Sequence, residues 1–271
     1  YVDIDAGTIH RLDPASGAET ASGVEPPISF VIPVDGGSRW VGGTGADLTL
    51  FDGDDVPIGK LVIESDRPAN RFNDGKADPA GRLWFGSMSL SHTHGGAGFY
   101  RLDPAGLTTI DGAVTISNGL DWDVDRQRMY YVDSTEQRID VFSFDASSGE
   151  AEDRRPFATI DPDDGLPDGL TVDADGGVWV ALFRGGAVRR YDPDGAIVET
   201  IRLPVTCPTC PVFGGDDLAT MFVTTSRHRL TEKQRAEQPL AGALLTVDAG
   251  VRGRPSHAVS AAVAALIGGG G

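Results

Sequence analysis

Cysteine is nearly absent. Only Cys207 and Cys210 occur in 271 residues, too few to staple a chain of this size, so the fold must rest on an apolar core. The pair cannot make a zinc site alone, since no second Cys/His pair lies at ligand spacing. Positive charge is also scarce: 23 Lys+Arg against 40 Asp+Glu leave a net charge of −17, which repels nucleic acid and anionic membranes at long range. The longest apolar stretch, residues 261–267, falls far short of the roughly 20 residues of a membrane span. The chain opens Tyr1-Val2-Asp3-Ile4 with no initiator Met, basic n-region or apolar h-region, so the expected location is cytoplasmic. Aromatics make up only 7%, whereas Gly 36, Pro 17 and 40% hydrophobic residues describe a folded, turn-rich chain and exclude collagen, coiled coil and disorder.

Helical periodicity is as scarce as cysteine. One segment, 231–237, carries a cap at Thr231 and a stop at Pro239 and reads as a short helix in a loop insertion. What the chain does contain is repetition. Tyr1-Val2-Asp3, Trp40-Val41-Gly42, Trp84-Phe85-Gly86, Tyr131-Val132-Asp133, Trp179-Val180-Ala181 and Phe222-Val223-Thr224 share one signature, at spacings of 39, 44, 47, 48 and 43 positions. That period brackets a four-stranded propeller blade. A second alternating element follows it, as in Phe99-Tyr100-Arg101-Leu102-Asp103-Pro104 and Val188-Arg189-Arg190-Tyr191-Asp192-Pro193, where Asp-Pro and Asp-Gly punctuate tight hairpins. The expected fold is an all-β, six-bladed β-propeller whose first blade is incomplete. It forms one domain over 1–255, with 256–271 as an atypical flexible tail.

In a propeller, residues just before the signature strands converge at one end of the axial channel. Asn73, Asn118 and Asp168 lie 11, 13 and 11 positions before their signature aromatics, each with a glycine within two residues. Asn-Gly and Asp-Gly are also common hairpin turns, which explains any one of them alone. Three in one register, flanked by Ile116, Leu120, Leu166 and Leu170, point instead to buried oxygens in need of a partner. A hard divalent cation fits, Ca2+ before Zn2+, because no His or Cys shares that register. His92-Thr93-His94 sits in a Ser/Gly-rich loop and reads as a lid rather than a metal site. Asp121-Trp122-Asp123-Val124-Asp125 lacks the glycine and closing Glu of a calcium loop, and no Gly-x-Ser-x-Gly elbow marks a serine hydrolase.

Arg71-Phe72-Asn73-Asp74-Gly75-Lys76-Ala77-Asp78, Ser117-Asn118-Gly119-Leu120-Asp121-Trp122, Pro167-Asp168-Gly169-Leu170 and Phe213-Gly214-Gly215-Asp216-Asp217-Leu218 resemble the senescence marker protein/gluconolactonase/luciferin-regenerating enzyme family (regucalcin-like). The likeness runs to about residue 255. It implies metal-dependent hydrolysis of sugar lactones, with Asn118 and Asp168 matching metal ligands, Asp168 also matching the catalytic residue, Arg71 and Asn73 matching substrate contacts, and 88–98 matching a lid loop. The family's remaining ligand, a glutamate in a Gly-Glu-x-Pro-x-Trp segment, precedes the strand that resembles Tyr1-Val2-Asp3-Ile4, so a shortened member with weakened metal binding is expected.

The expected chemistry is polarisation of a lactone carbonyl by one divalent cation, Ca2+ first with Zn2+, Mg2+ and Mn2+ as alternatives. Arg71 orients the sugar, and Asp168 either takes a proton from the attacking water or positions a cation-bound water for attack. A small sugar lactone is the expected partner, with no nucleic acid and no membrane. The rival readings are a phosphotriester or fluorophosphate hydrolase on the same propeller and a non-catalytic calcium-binding propeller.

Overall fold

The computed structural model describes residues 1–269. Their strands form six antiparallel sheets, the six-bladed β-propeller expected from the spacing. The first sheet holds β1 (Val2–Asp3), β2 (Thr8–Leu12) and β3 (Glu19–Gly23). The second is β4 (Ile28–Pro33), β5 (Trp40–Thr44), β6 (Asp47–Phe51) and β7 (Pro57–Val62). The third is β8 (Asn70–Ala77), β9 (Leu83–Ser89), β10 (Ala97–Asp103) and β11 (Gly106–Val114). The fourth comprises β12 (Ser117–Asp123), β13 (Arg128–Asp133), β14 (Arg138–Phe144) and β15 (Ala151–Thr159). The fifth comprises β16 (Leu166–Val172), β17 (Val178–Phe183), β18 (Ala187–Tyr191) and β19 (Ile197–Arg202). The sixth has three strands, β20 (Pro208–Gly214), β21 (Thr220–Thr225) and β22 (Leu245–Asp248).

Trp40, Trp84, Tyr131, Trp179 and Phe222 all fall on the second strand of their sheets, and the first sheet has only three strands. The repeat signature is a packing requirement. Trp84 and Trp179 are fully buried, and each ring N–H donates to an aspartate six residues earlier, Asp78 at 3.0 Å and Asp173 at 2.9 Å. The other oxygen of each aspartate caps its own turn, accepting from Ala80 and Arg82 in one case and from Asp175 and Gly177 in the other. Arg82 and Arg190 pair with the same carboxylates at 2.8 and 2.7 Å. One buried charge is thereby matched on every side, as burial of a carboxylate demands.

The described chain divides into two compact units. The first holds Tyr1–Asn118, Ala146–Gly149 and the segment from Ser256 onward; the second holds Gly119–Asp145 and Glu150–Pro255. The core of the first unit runs through Phe30, Ile32, Leu48, Phe72, Leu83 and Phe85. The core of the second gathers Tyr130, Val132, Ile139, Leu170, Val178 and Val180.

Among the described residues two short α-helices complete the fold. Helix α1 (Glu232–Glu237) is the helix expected at 231–237, closed by a capping box between Thr231 and Gln234. The expectation of a flexible tail over 256–271 is corrected by helix α2 (Ala261–Gly268), capped by Ser260, with Val263, Ala264 and Ile267 buried in the core of the first unit. Val259 bridges Val34 in parallel, and Gly59 of β7 makes room for the α2 backbone at Gly268. An alanine-rich run forms a helix readily. Without a polar face it gives no amphipathic period, which is why the sequence left it unassigned. Gly270 and Gly271, the end of the expected tail, lie outside the described residues.

Candidate active site

A β-bulge recurs in the first strand of four sheets. The ladder of β4 with β5 slips between Ile28 and Val31, that of β8 with β9 between Phe72 and Asp74, that of β16 with β17 between Pro167 and Leu170, and that of β20 with β21 between Pro208 and Cys210. Each slip lies opposite the residue three or four positions beyond the signature aromatic: Thr44, Ser87, Leu182 and Thr225. A bulge leaves one residue outside the ladder and re-aims its side chain. Asn73 and Asp168, both expected at the site, occupy such places. The hairpin-turn explanation of their Asn-Asp-Gly and Asp-Gly sequences is corrected, since both lie inside strands.

In the first unit, Arg71, Asn73 and Asn118 belong to one neighbourhood. Arg71 Nη1 donates to the Phe72 carbonyl at 2.7 Å and to Asn73 Oδ1 at 2.9 Å, while Asn73 Nδ2 donates to the Ser117 carbonyl at 2.9 Å. Ser29 Oγ adds a 2.5 Å bond to the Phe72 carbonyl. Asn73 thus joins the arginine to the peptide preceding Asn118, and Asn118 itself is 6% exposed. The 88–98 segment is shorter as a loop than expected: Met88, Ser89, Ala97 and Gly98 belong to strands. Between them Ser89, Ser91 and Thr93 form a hydroxyl chain at 2.9 and 2.8 Å.

In the second unit Asp168 is half-buried, with its backbone clamped from two sides. A Cβ on Gly119 would stand 2.4 Å from the Leu170 nitrogen and 2.6 Å from the Asp168 carbonyl oxygen; one on Gly169 would stand 2.7 Å from both Cβ and Sγ of Cys210. Only glycine permits these approaches. Asp121 ties β12 to β16, its Oδ2 accepting from Thr171 Oγ1 at 3.0 Å and the Val172 amide at 2.9 Å. The entry to β16 is held by Arg189, whose Nη1 lies 2.9 Å from Asp164 Oδ2 and keeps that carboxyl below the ordinary aspartate range against the upward push of burial.

The fourth bulge contains what the sequence missed. Thr209 and Cys210 stand at the height where β16 carries Asp168 and Gly169. The statement that no cysteine shares the register is therefore corrected. A signal was present, since Thr209 precedes Phe222 by 13 positions, as Asn118 precedes Tyr131. Cys207 is buried and Cys210 half-buried, with no disulfide; burial pushes the Cys207 thiol up, against the opposing hydrogen bond and charge of Arg184. Among the described residues no group of three or more His, Cys, Asp or Glu side chains converges as a metal cluster.

The profile of the SMP-30/Gluconolactonase/LRE-like region matches residues 1–227. This chain belongs to that family. Regucalcin of Xenopus laevis is 34% identical over 262 residues, 93% of this chain and 87% of that protein. The Bacillus subtilis protein YvrE, whose name assigns it as a sugar lactone lactonase, is 46% identical over 178 residues, 65% of this chain and 61% of its own length. Among solved structures, a luciferin-regenerating enzyme superposes with a TM-score of 0.86 at 29% identity, covering 96% of this chain and 90% of that one. Regucalcin of Agrobacterium tumefaciens, described as a calcium-binding protein, superposes with a TM-score of 0.87 at 28% identity, covering 94% and 86%. Family membership and fold thus agree with the expectations drawn from the motif segments and from the repeat spacing.

Proposed function

We propose that this chain hydrolyses sugar lactones, with Asp168 as general base and Arg71 orienting the substrate. The observation that carries this reading is the placement of Asp168 in a β-bulge whose backbone is clamped between Gly119 and Cys210. A base must hold its geometry through the reaction, and such a clamp lowers the reorganisation needed. Asp168 takes a proton from water as the water oxygen bonds to the lactone carbonyl carbon. The same carboxyl then returns that proton to the ring oxygen as the ring C–O bond breaks, giving the open hydroxy acid. Arg71, fixed by Asn73 and the Phe72 carbonyl, offers its guanidinium donors to substrate hydroxyls.

Asn118 and Asp168, the expected cation ligands, each offer oxygen donors alone, the donor chemistry that suits Ca2+, with Mg2+, Mn2+ and Zn2+ as alternatives. When bound, that cation supplies Lewis-acid polarisation of the carbonyl.

The test is lactone turnover on chelated protein, then with each cation added back, alongside Asp168→Asn. The expected outcome is cation-dependent hydrolysis in which the variant loses about 10²- to 10⁴-fold in kcat, with an unchanged thermal midpoint. Full turnover by the variant would remove Asp168 from its role. Phosphotriester turnover without lactone turnover favours the alternative hydrolase, and turnover of neither leaves a binding propeller.

A further inference from the structure

We infer that Thr209 is a substrate-binding residue, its hydroxyl oxygen accepting a hydrogen bond from a lactone hydroxyl and so selecting polyhydroxylated rings. This rests on the lactonase reading and deepens it. Thr209 is the residue left outside the ladder where β20 slips against β21, between Pro208↔Thr225 and Cys210↔Thr224. The β16 slip that frees Asp168 lies between Pro167↔Leu182 and Leu170↔Val180. Pro208 and Pro167 pair with residues three positions past Phe222 and Trp179, so Thr209 and Asp168 are the next residue in each strand. The two bulges stand side by side in the second unit, since Gly169 packs directly on Cys210. Bulges are over-represented beside active sites, where the residue outside the ladder has its side chain re-aimed.

The hydroxyl chemistry follows from its neighbours. Thr224 Oγ1 donates to the Cys210 carbonyl at 3.3 Å and so must accept from Thr209 Oγ1, 2.7 Å away. A hydroxyl has one proton and two lone-pair sites. With its proton committed to Thr224, Thr209 has only acceptor capacity left to offer a ligand. A sugar hydroxyl donates to such an oxygen, whereas the ring carbonyl cannot. Thr224 acts as a positioning residue, fixing the direction of the Thr209 proton.

The experiment is a variant-by-substrate cycle. Wild type, Thr209→Val and Thr209→Ser are assayed on an aldonolactone and on its singly deoxygenated analogues, with cation affinity followed by calorimetry. Thr209→Val should lose about 5- to 10-fold in kcat/KM on the parent lactone, the scale of one lost hydrogen bond. That loss should vanish for the one analogue missing the partner hydroxyl. Thr209→Ser should recover to within about 2-fold, and cation affinity should not move. Thr224→Val should show a weaker form of the same selectivity; Thr209→Ala serves if the valine variant does not fold. Equal losses on every analogue, no loss on the parent, or a fall in cation affinity would overturn the assignment while leaving the lactonase reading in place. A wild type that hydrolyses no lactone would overturn both.

Discussion

Asn73 shows how one side chain can do more than its residue type suggests. Both ends of its amide are engaged, Oδ1 with Arg71 and Nδ2 with the Ser117 carbonyl, so its contribution is to fix the arginine against the peptide before Asn118. Asn73→Ala should release that arginine. We expect kcat/KM on a sugar lactone to fall about 10-fold, mostly through KM, with a loss of about 1 kcal/mol in stability from the unpaired carbonyl. Steady-state kinetics and chemical denaturation measure the two effects. Asn73, Asn118 and Asp168 were legible because oxygen-bearing residues beside glycine recur in one register. Thr209 was not, because Thr-Cys-Pro lacks that glycine and its equivalence appears only when the strand pairing is known.

At the scale of the element, bulge and glycine act together. Gly119→Ala would press a Cβ into the β16 backbone at Leu170 and Asp168, where neither strand can retreat without losing the Asp121 bonds to Thr171 and Val172. We expect a loss of about 1–3 kcal/mol together with lactone turnover, measured by denaturant unfolding and kinetics. A second inter-strand device joins the first two sheets. Asp55 accepts from both terminal nitrogens of Arg11, at 2.9 and 2.5 Å, from Trp40 Nε1 at 2.8 Å and from Ser22 Oγ. Burial pushes the Asp55 carboxyl up, yet these bonds outweigh it and hold it below the ordinary range. Its contribution is therefore complete above the unfolded carboxylate pKa, near 4, and is lost as pH falls through the lower folded value. Asp55→Asn keeps a residue tolerant of the left-handed backbone there (φ 64°). It should cost about 1–2 kcal/mol at pH 7 and flatten the stability loss as pH falls below about 4, followed by thermal unfolding at decreasing pH.

For the whole molecule, the latest segment in sequence completes the earliest core. Ile267 of α2 is fully buried among residues of the first unit that include Leu48, Leu50 and Val34. Ile267→Ala should cost about 2–4 kcal/mol and lower the thermal midpoint, whereas a substitution at exposed Ala265 should leave it unchanged. No helix among the described residues is long and apolar enough to cross a membrane. The sequence by itself determined the repeat, the fold class and most of the candidate site. A blade must bury one aromatic and one strand alternation each time it recurs, and that demand is written locally in residue order. The fate of 261–268, the clamp on Asp168 and the place of Thr209 were decided only by tertiary structure. Each depends on which distant backbone lies alongside, and an apolar run or a strand slip has no local pattern that names its neighbour.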